Sequence, residues 1–110
     1  MEHSITTKRF VGTIAASATD AALVAAVANR SLKVLGGSIS SLNATTVVFN
    51  SKPAGAGVAV SNVFNLPANA NVQLEPDTVG WFETAQGEGL TATTGAGVGG
   101  VNVALIYTEA

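Results

Sequence analysis

Cysteine is absent from the 110 residues, so the fold has no disulfide framework and the chemistry has no thiolate nucleophile or cysteine-bound metal. Histidine occurs once, as His3 in a polar N-terminal stretch. Serine–histidine, cysteine–histidine and zinc constellations therefore have nothing to be built from. Charge is also scarce, with 11% of residues Asp, Glu, Lys or Arg, against roughly 25% in an ordinary soluble domain. The basic residues Lys8, Arg9, Arg30, Lys33 and Lys52 are scattered along the chain. A nucleic-acid groove needs them concentrated. The longest apolar run, Ala21 to Ala28, falls far short of the ~20 residues that span a bilayer. Met1-Glu2-His3 lacks the basic and apolar regions that open a secretory signal. The expectation is a soluble, non-enzymatic chain without nucleic-acid or membrane partners and without a cofactor.

What fills the sequence instead is Ala, Val, Gly, Thr, Ser and Asn, with 47% of residues hydrophobic. One domain of this length can bury a core unaided, but it cannot cover its surface with charge as free-standing domains do. Much of that surface must be neutral and polar, or lie against a partner. A subunit of an assembly fits this better than an enzyme does.

Short β-prone runs alternate with turn clusters. Strands are predicted near residues 10–15, 23–27, 31–39, 45–50, 58–65, 72–74, 79–83, 90–94 and 101–108, separated by Asn29-Arg30, Asn43-Ala44, Pro53 to Gly57, Pro67 to Asn69, Pro76-Asp77, Gln86-Gly87 and Gly95 to Gly100. This spacing predicts an all-β fold, a single antiparallel β-sandwich or jelly-roll-like domain over 10–110, preceded by a short N-terminal arm over 1–9. In the last run Val101, Val103, Leu105 and Tyr107 share one face, with Asn102, Ala104, Ile106 and Thr108 on the other. Its reverse face is small and neutral rather than charged, which suits a sheet with contacts on both sides. Residues 19–28 could be read as a helix capped by Thr19 or Asp20. The valines and the apolar run beyond Asn29-Arg30 favour a strand hairpin instead.

Gly95-Ala-Gly-Val-Gly-Gly100 matches the letters of a dinucleotide fingerprint, but a strand follows it where the pyrophosphate needs a helix, so a glycine hairpin loop is expected. Glu75 and Asp77 flank Pro76, while Glu83 and Glu88 flank a turn. They read as solvated turn carboxylates, with oxygen ligation of Ca²⁺ by Glu75 and Asp77 the remaining option. Asn29-Arg30-Ser31 and Asn43-Ala44-Thr45 fit the glycosylation triplet and read as turns. Trp81 and Phe82 sit on adjacent strand positions and must face opposite ways: one ring fills the core, and the other meets a loop, a neighbour or solvent.

The stretch Gly80-Trp81-Phe82-Glu83-Thr84-Ala85-Gln86-Gly87-Glu88-Gly89-Leu90 is followed by a Thr/Gly-rich strand and Val103-Ala104-Leu105-Ile106-Tyr107. Together with Val24-Ala25-Ala26-Val27, Leu32-Lys33-Val34-Leu35 and Thr46 to Lys52, it resembles small tailed-bacteriophage virion proteins of the head decoration, or cement, type. The resemblance implies a β-sandwich subunit, often trimeric, that binds the major capsid protein on the outer surface of the shell. It transfers no catalytic residues. Ile5, Lys8, Arg9, Trp81 and Phe82 are the candidate assembly residues. The alternative is a carbohydrate- or receptor-binding module of a phage tail or fibre, using Asn62, Asn69, Asn71 and Asp77 with Trp81 as a stacking platform.

Overall fold

The computed structural model describes residues 7–110. Ten strand segments build it: β1 (Thr7–Ile14), β2 (Ala21–Val24), β3 (Leu32–Ser41), β4 (Thr45–Lys52), β5 (Val58–Ala59), β6 (Phe64–Leu66), β7 (Ala70–Leu74), β8 (Phe82–Glu83), β9 (Gly89–Thr94) and β10 (Val101–Glu109). One sheet runs β1-β10-β3-β7, with β8 also on β3; the other runs β2-β9-β4-β5, with β6 also on β4. All pairings are antiparallel.

Two edge strands are each broken in the middle. β5 and β6 follow one another along β4, opposite Ser51–Asn50 and then Val47–Thr45, with residues 60–63 looping out between them. β7 and β8 do the same along β3, opposite residues 41–37 and then Val34–Lys33, with 75–81 looping out. With each broken strand taken as one, four strands per sheet remain, numbered along the chain 1-8-3-6 and 2-7-4-5. This is the jelly-roll order, two Greek keys rolled into a sandwich. Pro53, Pro67 and Pro76 each lie just past a strand, where no ladder donor is required, and Pro76 falls within the second break.

Alternation accounts for the layers. Ile14, Leu32, Val34, Ile39, Val47, Phe49, Leu90, Ala92, Val101, Val103 and Leu105 are buried between the sheets. Phe49 anchors them, stacked on Phe82 at 4.8 Å and edge-on to Phe64 at 6.0 Å. No buried side-chain polar atom among the described residues lacks a hydrogen-bond partner.

Several boundaries differ from expectation. The first strand starts at Thr7, so Lys8 and Arg9 belong to the sheet and not to an arm, because both pair with β10 opposite Tyr107 and Ile106. Residues 21–24 are a strand, as the valines suggested, but β2 and β3 lie in different sheets, so Asn29-Arg30 turns a sheet-to-sheet crossover instead of a hairpin. The glycine segment 95–100 likewise carries the chain from β9 in one sheet to β10 in the other. The predicted strand 58–65 loses its middle, 60–63, to a loop, and the predicted strand 79–83 keeps only Phe82–Glu83, because 79–81 belong to the 75–81 loop.

Candidate functional site

Two surfaces stand out once the core is subtracted. The first is the outer face of the β1-β10-β3-β7 sheet. Register places Thr13, Asn102, Ser40 and Asn71 in one cross-strand row and Val11, Ala104, Ser38 and Gln73 in the next. Arg9, Ile106 and Gly36 form a third. Arg9 is the one charged residue in these rows, and Val11 is 67% exposed. A hollow of about 360 Å³ indents the face between Arg9, Val11, Ser38, Gln73, Pro76 and Ile106. Gly37, which also lines it, adopts φ +141° and approaches β10 closely, next to the register shift at Ile106/Tyr107. A Cβ at Gly37 would lie 2.0 Å from the Ala104 carbonyl oxygen.

Lys8 sits at the end of β1, where its ammonium donates to the Glu109 carboxylate at 2.8 Å. That hydrogen bond, and then the charge behind it, holds Lys8 above its ordinary 10.5. The ion pair staples the first strand to the last. Arg9 points to the outer face and has no ion-pair partner among the described residues. Ile5 lies outside the described residues.

The second surface is a groove on the flank where the two broken strands face each other. Residues 59–62 and Phe64 form one side, and Trp81 with Phe82 the other, enclosing about 470 Å³. Phe82 is buried in the stack on Phe49 and so belongs to the core, not to an assembly surface. Trp81 is the ring that faces outward, 49% exposed. Its indole N–H donates to the Glu75 carbonyl oxygen at 2.8 Å, and its backbone N–H donates to the Val34 carbonyl at 2.8 Å. Across the groove, Val60 N–H donates to the Phe49 carbonyl at 2.9 Å, and Ser61 Oγ accepts from Phe49 N–H at 2.9 Å. Both walls are therefore pinned to the sheets. Asn62 joins Trp81 here, while Asn71 lies on the outer sheet face and Asn69 in the turn between β6 and β7. Those two are not part of one site with Trp81.

The carboxylates are engaged locally. Asp77 Oδ1 accepts from Val79 N–H at 2.8 Å. Glu83 accepts from the Ser31 hydroxyl, and Glu88 from Ser51 Oγ at 2.5 Å. No group of three or more His, Asp or Glu among the described residues is placed to hold a metal ion.

Sequence reading missed Asp20, whose role depends on residues far along the chain. With φ +49°, it turns its carboxylate over the outer face of the second sheet. One oxygen accepts from Asn50 Nδ2 at 3.0 Å and Thr91 Oγ1 at 3.2 Å, the other from Gly57 N–H at 3.0 Å. It ties the start of β2, the centre of the sheet and the 53–57 loop together. The only local signal was an Asp in a turn before an apolar run.

No family model, curated protein or solved structure matches this chain.

Proposed function

We propose that the protein is a virion structural subunit that docks on an assembled phage capsid and stabilises it, the outer face of the β1-β10-β3-β7 sheet being its contact surface. The observation that carries this reading is that face itself: three successive cross-strand rows that are neutral apart from Arg9, with Lys33 and Glu83 confined to the row beyond them. A solvent face ordinarily carries many charges, and neutral, low-entropy side chains are easily desolvated when two surfaces meet. The jelly-roll order agrees with it, since that architecture recurs in viral capsid proteins, as does the resemblance carried by residues 80–90. Copies joined as a trimer would bind a symmetric shell through several weak contacts at once.

Co-sedimentation with shells that lack the protein tests the reading. The full chain should pellet with them, and Ala104→Arg, at the centre of the face, should stay in the supernatant with its melting temperature unchanged. Equal retention of the variant, or no retention of the parent, would overturn it.

A further inference from the structure

We propose that the flank groove beside Trp81 is a binding site for a neutral saccharide, a function separate from the docking of the sheet face. The groove combines three properties that a sugar ring requires. One wall carries an aromatic ring held in place before any ligand arrives, because the indole N–H and the backbone N–H of Trp81 are both committed to carbonyl oxygens. A fixed ring stacks on the C–H face of a pyranose without a further entropic cost. Its opposite rim carries hydrogen-bonding capacity, since the exposed Asn62 amide has no side-chain partner among the described residues and offers two donors and an acceptor. Its size, about 470 Å³, lies within the range of small-molecule sites.

Charge selects the class. None of the lining residues is ionisable, and the segment that carries Trp81 also carries Glu75, Asp77 and Glu83. Against them stands one nearby cation, Lys33, whose stem lies beside Gly80 and which is opposite Glu83 in the register. Uronic or sialic acids would be repelled, whereas uncharged hexoses and N-acetylhexosamines would not. A proline-rich peptide fits less well, because polyproline helices seat on several aromatic rings in sequence and here a single ring is exposed. Both walls are breaks in edge strands, places where bulges commonly re-aim side chains towards ligands.

Trp81 is the only tryptophan in the chain, so its emission reports on this groove alone. The test titrates the full-length protein with tetramers of β-glucan, chitin, α-glucan, mannan and a polyuronate, following fluorescence and the Asn62 amide signals. At least one neutral tetramer should bind with Kd below about 1 mM and move both signals, while the uronate does not. Trp81→Phe should keep the binding, and Trp81→Ala should weaken it about tenfold or more. The inference fails if no neutral tetramer binds, if the uronate binds best, or if Trp81→Ala binds as well as the parent. It fails equally if a proline-rich peptide gives the larger response, or if dilution alone shifts the emission, which would assign the groove to a second copy. Shell retention is read separately, so this result and that of the docking face stand or fall independently.

Discussion

Adjacent residues 81 and 82 divide the labour between stability and recognition. Phe82, 7% exposed and stacked on Phe49, should lose about 3–5 kcal/mol of folding stability on truncation to Ala, measured by chemical denaturation. Trp81→Ala should cost far less, because half the ring already faces water. Near-equal losses would mean that the indole supports the core from outside. The strand itself begins only at Phe82, with Trp81 at the end of the preceding loop. Neighbours on an extended chain point opposite ways, so the sequence predicts that the rings part, but not which turns inward. That choice depends on Phe49, which reaches Phe82 only through the packing of two sheets. Gly37 is a second such residue. Its neighbours in sequence read as an unremarked strand interior, yet Gly37→Ala should destabilise by about 2–4 kcal/mol, combining a disfavoured φ with a clash against the Ala104 carbonyl.

At the scale of elements, local pattern carried most of the fold and little of the connectivity. β3, β4, β9 and β10 were legible because apolar residues alternate and turn residues flank them. The broken edge strands were not, since 60–63 and 75–81 are pushed outward by their own turn chemistry while the flanking pieces hold register on β4 and β3. Sheet membership was also hidden, because a crossover and a hairpin use the same turn residues. Asp20 illustrates the long-range part. Asp20→Ala should remove the acceptor of Asn50, Thr91 and Gly57 at once, costing about 1–3 kcal/mol. Hydrogen exchange should show the Gly57 amide opening well before the strands. The Lys8–Glu109 staple behaves differently. Its contribution is complete below the ordinary lysine value of 10.5 and is lost as pH rises through the higher folded value. The Thr7 end of β1 should accordingly begin to fray as the solution becomes strongly alkaline, seen as selective shifts of the Thr7 and Thr108 side-chain NMR signals.

For the whole molecule, scarcity of charge sets how association responds to salt. Contacts between neutral faces involve no ion atmosphere to be screened. Light scattering at micromolar concentration should therefore give a mass near three chains, and the same mass at low and high ionic strength. A monomer throughout would count against the trimer, and dissociation on adding salt would point to Arg9 or Lys8 as the binding determinant. The neutral reverse face of the last strand was visible in the sequence as Asn102, Ala104 and Ile106. Its continuation across β3 and β7 needed the register.

β10, the last of the ten strands described, is an inner strand of its sheet. β10 lies between β1 and β3, and each of those has no other partner along most of the same edge. Until residues 101–109 have been made, β1 lacks the strand it pairs with and β3 lacks one of its neighbours. Closure must then bring together segments separated by nearly the full chain, a slow topology to assemble. Chains truncated before Val101 should remain protease-sensitive, and chains that include residues 101–109 should gain protection in a single step. Loss of the nine residues of β10 would therefore leave a chain that cannot close its sandwich, not one that keeps part of the fold.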